Sequence, residues 1–366
     1  MFKQYQLRDF RLRLVVFVYT ITILGILVIG SAKSEYQSQQ VIGMALGSAA
    51  MLVFALVDYH LMMNMYWLVY VFNLGLLLAV RFAGTEVNGA KRWLDIGFRF
   101  QPSELSKLLL ILFFARFFTK YSESINHWKT LVCSGILILI PLYLVKEQPD
   151  LSTTITIAFV FCVLIFIGGL SYKIIGTVLA ILIPSAIIFI NLIMQEGQQI
   201  LDNYQFRRIM AWLNPAEYAD DAYQQQNSII AIGSGQLYGK GLYNNDISSV
   251  KNGNFIVEPQ TDFIFAVTGE ELGFIGCAAV IILLALIVME CLWIGKNARE
   301  QEGTIICCGF GGLIAFQSLV NICVATGLMP NTGIPLPFVS YGLTSLVMLY
   351  MGIGIVLNVG LQPKKY

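Results

Sequence analysis

Apolar and polar positions alternate along this chain in blocks the length of whole helices. Ten apolar segments stand out, at roughly 13–31, 41–58, 63–82, 103–119, 130–146, 151–169, 172–195, 262–293, 303–326 and 338–360. A hydrocarbon core about 30 Å thick takes about 20 apolar residues of α-helix to cross, and most of these segments approach or exceed that length. Gly, Asn and Thr interrupt several of them, which membrane helices tolerate where neighbours satisfy the backbone. The pattern predicts an all-α, polytopic integral membrane protein of about ten transmembrane helices, forming a single membrane domain over 1–366. A large extracytoplasmic loop at about 196–261 separates helices seven and eight. The first segment follows Lys3, Arg8, Arg11 and Arg13 in the manner of a signal peptide. Its length, and the second segment close behind it, predict a retained first helix.

Composition supports this reading. Hydrophobic residues make up 57% of the 366 positions and charged residues 12%, about half the usual ~25% of soluble domains. A net charge of +1 without a basic tract offers nothing to a nucleic acid. The seven cysteines lie in or beside apolar runs with no CxxC pair, and His60 and His127 are the only histidines. That argues against a zinc or thiol-redox site and for cysteines acting as small apolar side chains.

The basic residues orient the chain. An even number of crossings places both termini on one side, and that side carries twelve Lys and Arg against ten on the other. The rule counts short loops and discounts long ones. With 83–102 and 196–261 set aside, only Lys33, Arg81 and Lys146 remain opposite. The termini are expected in the cytoplasm. The inner connections are short and hold no nucleotide-binding loop, so the informative polar chemistry faces outward.

Four outer stretches carry it. The first runs from Val87, Asn88 and Gly89 through Arg92 and Trp93 to Pro102, Ser103, Glu104 and Lys107. Pro102 and Glu104 suit a helix start. Glu104 and Lys107 share a helix face three residues apart, as an interfacial salt bridge or a functional pair within a span. The second is the turn at 146–153, where Asp150 suits the cap of the next helix better than it suits catalysis. The third is the long loop, with Arg207, Arg208 and glycines around Lys240, ending at Glu258 and Asp262. Those glycines fit no phosphate-loop spacing. In a continuous eighth helix, Glu270 and Glu271 would lie about 12 Å beyond Asp262 and would need partners or a polar cavity. The fourth is 330–342, where Pro330, Pro335 and Pro337 rule out a regular helix and predict a rigid re-entrant or interfacial segment.

Taken in order, KRWLDIG (91–97), FQPSELSK (100–107), EQPDLST (147–153), GKGL (239–242), TDFIFAVTGEELG (261–273) and TGIPLPFVSYG (332–342) closely resemble the SEDS family. These are the shape, elongation, division and sporulation proteins that polymerise peptidoglycan. The resemblance covers nearly the whole chain, and GKGL ahead of TDFIFA looks more like the elongation branch than the division branch. Two positions depart from the family pattern: Val257 stands where a Pro often precedes the glutamate, and Leu343 replaces the second glycine of SYGG.

The resemblance implies an inverting glycosyltransferase in the bacterial cytoplasmic membrane that consumes lipid II, a disaccharide-peptide on polyprenyl pyrophosphate. It also implies a class B penicillin-binding protein, a transpeptidase, as partner. Asp262 matches the family's essential aspartate and is the expected general base. An exposed Asp titrates near ~4, a weak base for an alcohol, so strong assistance at the leaving group is expected. Arg92, Lys107, Arg207, Arg208 and Lys240 are candidates to hold the pyrophosphate, and Glu104, Asp150, Glu258 and Ser340 complete the candidate substrate site. Glu258, Asp262, Asp150 and Glu104 carry the oxygen donors that a divalent cation (Mg or Mn) would take, on loops whose convergence spacing does not show. Two other readings stand beside the polymerase: a lipid II flippase, favoured by broken segments and by Glu270 and Glu271, and a non-catalytic scaffold for a transpeptidase.

Overall fold

A computed structural model describes residues 10–87, 90–95, 97, 99–193, 203–244, 249, 253 and 255–362. Lys3, Arg8, Asn88, Gly89 and the end of the seventh apolar segment lie outside the described residues. The helices are α1 (Leu12–Ala32), α2 (Ser34–Leu56), α3 (Tyr59–Asn64), α4 (Tyr66–Ala83), α5 (Pro102–Lys120), α6 (Trp128–Lys146) and α7 (Leu151–Ile167), then α8 (Tyr172–Ile193), α9 (Asn203–Leu213), α10 (Ala219–Ser234), α11 (Ile264–Lys296), α12 (Gln301–Ala325) and α13 (Leu343–Gly360). Among the described residues seven of them, α1, α2, α4, α6, α11, α12 and α13, are long and apolar enough to cross a membrane. The stretch expected as loop between α4 and α5 holds a small antiparallel sheet in the order β1 (Thr85–Val87), β2 (Ala90–Asp95), β3 (Arg99–Phe100).

The bundle is apolar outside as well as inside. Leu68, Val71 and Phe72 on α4 and Ile282 and Met289 on α11 are exposed, as lipid-facing side chains must be. α5 is the axial helix, buried along nearly its whole length and packed on α4, α7, α12 and α13. Its Phe113, Phe114, Phe117 and Phe118 stack with one another and with Tyr66, Tyr70 and Phe161. α2 lies along α13, and α1 lies along α11. Gly25 of α1 meets the Pro-rich segment directly: a Cβ there would stand 2.8 Å from the Val339 Cα.

α11 is broken. Gly273 sits at φ 63°, ψ −162°, outside any helical conformation. A Cβ on Gly269 would lie 3.3 Å from the Cys277 Sγ. Eight residues of straight helix would separate these positions by about 12 Å, so the chain folds sharply back on itself. The half 274–296 still measures about 34 Å, enough for one crossing. The half 264–272 is a separate short rod that carries Asp262 just ahead of its first turn. Glu270 and Glu271 therefore sit at a fold in the chain and not farther along one continuous helix.

The break exposes backbone groups that a helix would satisfy, and a distant stretch takes their place. Phe274 N donates to Gln236 O (2.8 Å) and Ile275 N to Leu237 O (3.3 Å). In return Lys240 N donates to Glu270 O and Gly241 N to Glu271 O, each at 2.9 Å. Residues 236–241 thus splint α11 with two acceptors and two donors. The approach requires glycine at 239, where a Cβ would lie 2.2 Å from Glu271 O. The stretch expected as one long loop therefore contains two helices, α9 and α10, and this splint.

Candidate active site

Asp262 is delivered by a tight turn. Glu258 adopts φ 55°, a left-handed conformation uncommon for a residue with a side chain, and its carbonyl accepts from both Thr261 N (3.2 Å) and Thr261 Oγ1 (2.9 Å). The Pro-rich segment is fastened to this turn. Ser340 Oγ donates to Thr261 O (2.6 Å) and accepts from Leu336 N (2.8 Å), and Tyr341 N donates to Gln260 O (2.9 Å). Gln40 of α2 grips the same segment, its Nε2 donating to Ser340 O and its Oε1 accepting from Gly342 N, both at 3.2 Å. Asn321 of α12 donates from Nδ2 to Asp262 O (2.8 Å) and to Ile334 O (2.7 Å).

The carboxylate of Asp262 faces Arg208 across Gly333. A Cβ on Gly333, whose φ is +74°, would lie 3.3 Å from Asp262 Oδ2 and 3.9 Å from Arg208 Nη1. Arg208 projects from the amphipathic α9 and is held by Nη1 donating to Asn331 O (3.2 Å). Arg92 projects from β2 and donates to the carbonyls of Gln148 (3.1 Å) and Pro149. Asp150 caps α7, accepting from Thr153 N (3.0 Å) and Thr153 Oγ1 (2.9 Å), with Gln101 Nε2 at 3.4 Å. Ser152 donates to the carbonyl of Thr332 and ties the start of α7 to the Pro-rich segment.

Burial raises the Asp262 carboxyl above the ordinary carboxylate range; Arg208 and Arg92 pull it down, and Glu258 and Asp150 push it up. The sum is upward. A carboxyl raised above its ordinary range is a stronger base than an exposed one, and the facing Arg208, with the charge of Arg92 also acting there, can receive an anion.

Of the remaining candidates, Ser340 sits against the Asp262 turn and the others make their bonds elsewhere. Glu104 and Lys107 are buried on α5 and paired at 2.6 Å, and Ser345 of α13 donates to the second Glu104 oxygen at 2.9 Å. Lys240 Nζ is paired with Glu270 (2.8 Å) at the α11 break, and Glu271 accepts from Ser31 Oγ at the end of α1 (2.5 Å). Arg207 is exposed and bonded to Asp221 of α10 at 2.7 Å. Ser340 spends its hydroxyl on the backbone of its own segment and of the Asp262 turn. Of the five basic candidates, Arg92 and Arg208 are the two whose charge acts on Asp262.

The model of a family of cell cycle proteins, named for FtsW, RodA and SpoVE, matches residues 9–365. The chain belongs to that family. Its relatives in the FtsW/RodA/SpoVE family include the peptidoglycan glycosyltransferase MrdB of Escherichia coli K12, 35% identical over 92% of this chain and 90% of that one. The stage V sporulation protein E of Bacillus subtilis is 32% identical over 88% of this chain and 86% of that one. Among solved structures, a chain of a peptidoglycan synthase complex, described as coordinating polymerization and crosslinking, superposes with a TM-score of 0.77 at 28% identity, covering 96% of this chain and 97% of that one. The rod shape determining protein RodA of Thermus thermophilus superposes at 0.68 with 26% identity, covering 96% of each chain. The SEDS resemblance of the six motifs is thereby confirmed along the chain.

Among the described residues the acidic candidates do not form a dedicated divalent site. Among the described residues no three His, Cys, Asp or Glu side chains converge as a metal-binding group. Asp150 is spent on the α7 cap and Glu104 on Lys107 and Ser345. Three residues that shape the site were not among the candidates, and only Gly333 falls within a quoted motif. Asn321 lies inside an apolar run, Gly333 among prolines, and Gln40 at the edge of the second segment. A side-chain amide within a span, with Gln317 one turn before it, was the available clue to Asn321, since buried polar groups in membranes need partners.

Proposed function

We propose that this protein is a peptidoglycan glycosyltransferase that polymerises lipid II at the outer face of the bacterial cytoplasmic membrane during cell-wall elongation, with Asp262 as general base. Supporting this is one observation: a carboxylate raised by burial stands beside the guanidinium of Arg208, with the charge of Arg92 also acting on it. In the reaction Asp262 takes the proton of the acceptor's GlcNAc 4-hydroxyl as that oxygen attacks the donor's MurNAc anomeric carbon. The glycosidic bond forms with inversion, and the bond to the lipid pyrophosphate breaks. The departing pyrophosphate carries the electron pair away, and Arg208 and Arg92 compensate the charge that develops on it.

We read α5, α7 and α8 as crossings alongside the seven clear ones, giving ten spans with both termini cytoplasmic. The solved relative that belongs to a synthase complex supports a class B penicillin-binding protein as partner. One support of the flippase reading weakens, because Glu270 is paired with Lys240 and Glu271 accepts from Ser31. The test is polymerisation of lipid II by the purified full chain in detergent, with and without the transpeptidase. Wild type should yield glycan strands, and a folded Asp262→Ala variant should yield none. Product from that variant would remove Asp262 from the chemistry. Lipid movement in sealed vesicles without any product in detergent would favour transport.

A further inference from the structure

We propose that Asn321 is a positioning residue for Asp262, clamping the aspartate's own backbone carbonyl to that of Ile334 through a single buried side-chain amide. The inference rests on Asp262 being the base. Asn321 is 1% exposed on α12, so no solvent competes for its amide. Both Nδ2 hydrogens are used, at 2.8 Å to Asp262 O and 2.7 Å to Ile334 O. Its Oδ1 has no hydrogen-bond partner among the described residues. A leucine of similar size would fill the same space without burying an unsatisfied acceptor. The donor side of the amide is therefore the reason for an asparagine here.

What the clamp controls follows from the two chain segments it joins. Asp262 belongs to the 258–263 turn. Ile334 follows Gly333, over which Asp262 Oδ2 and Arg208 Nη1 approach one another, and Arg208 is itself anchored to Asn331 O. The relative placement of the two segments sets the distance between carboxylate and guanidinium. The other ties between them, from Ser340 to Thr261 and from Tyr341 to Gln260, act one and two residues before the aspartate. Asn321 acts on Asp262 itself and on the neighbour of Gly333. It touches backbone alone and takes no part in the chemistry.

The test uses the purified full chain with lipid II as substrate. Asn321→Leu keeps the volume and removes both donors; Asn321→Ser keeps one short donor. Thermal unfolding in detergent first establishes that each variant folds. The leucine variant should lose about 10- to 100-fold in kcat, the scale of a misplacement near 1 Å, with KM within about twofold of wild type. A looser turn also hydrates Asp262 among Arg208, Glu258, Arg92 and Asp150, so the acid limb of kcat should move to lower pH. The serine variant should fall between leucine and wild type, and it decides the matter alone if the leucine variant does not fold. Wild-type kcat and an unmoved acid limb in the folded variant, or a rise in KM alone, would overturn the inference. Asp262→Asn, run in parallel, separates the two claims. Activity in that variant defeats the base assignment, whereas an inactive Asp262→Asn beside normal Asn321 variants defeats the positioning role alone.

Discussion

Asp262 lives among four charges that oppose one another in pairs, and each can be removed separately. Glu258 raises the aspartate's pKa, so Glu258→Gln should lower it and carry the acid limb of kcat to lower pH. Arg208 lowers it, so Arg208→Gln should move the same limb to higher pH. That variant should also cut kcat by about 10²- to 10³-fold if the proposed stabilisation of the leaving group goes with the charge. The pH profile of lipid II polymerisation checks both signs, and limbs moving in the same direction would contradict the assignment. Gly333 is constrained by space as well as conformation. Gly333→Ala would adopt φ +74° at a cost of about 1–2 kcal/mol and set a methyl 3.3 Å from Asp262 Oδ2. We expect kcat to fall more than thermal stability does. Asp262, Arg92, Arg208, Asp150 and Glu258 were all legible in the sequence as a set, through ordered motifs. Their arrangement was not. It depends on amides and glycines that look ordinary in a linear reading, because what they recognise is backbone.

At the scale of elements, hydropathy traced the apolar helices well, since burial in lipid imposes length and composition directly. It misread α11. Gly273 lies in an apolar run whose flanks both favour helix, and nothing local announces a break. The cause is tertiary: residues 236–241 offer the hydrogen bonds that make a break affordable. The GKGL stretch, a weak turn signal in sequence, is the partner that explains it. Gly239→Ala and Gly273→Ala should each destabilise by roughly 1–3 kcal/mol or more, since both need left-handed backbone and both face backbone atoms within 2.4 Å of a new Cβ. Thermal unfolding in detergent measures this. Polymerase activity should fall with stability, because the rod 264–272 that follows Asp262 loses its anchor. Full stability in both variants would show that the splint is dispensable.

The whole molecule is tied at the end opposite Asp262 as well. His60 Nδ1 meets Asp58 at 2.6 Å and His60 Nε2 meets Glu300 at 3.0 Å, joining the α2–α3 link to the α11–α12 turn. Gln362 donates to the same Asp58 oxygen at 3.2 Å and brings in the chain beyond α13. Burial opposes protonation of His60, but its bonds to Asp58 and Glu300 outweigh this and raise its pKa above the ordinary value. A histidine raised on folding stabilises fully below its unfolded pKa, near 6.5, and loses that contribution as pH rises through its folded value. Burial also opposes ionisation of Asp58, whose pKa is nonetheless lowered by the His60 bonds. Its contribution is lost only as pH falls through that depressed value. The gap in unfolding temperature between wild type and His60→Gln should therefore be widest at about pH 5–6 and narrow above it. A gap that is flat from pH 5 to 9 would remove the charge from the clasp.

The splint of α11 also bears on how the chain enters the membrane. Lipid offers no donors or acceptors, so a helix broken at Gly273 cannot rest in a bilayer until something polar closes the gap. The groups that close it lie some thirty residues upstream and leave the ribosome first, as synthesis runs from the N-terminus. Residues 236–241 must be in place and waiting when 264–275 arrive. Read as an assembly order, the α11 break makes placement of the Asp262 rod conditional on earlier placement of 236–241. A chain in which 236–241 stalls would then hold Asp262 out of place, in a half-built site.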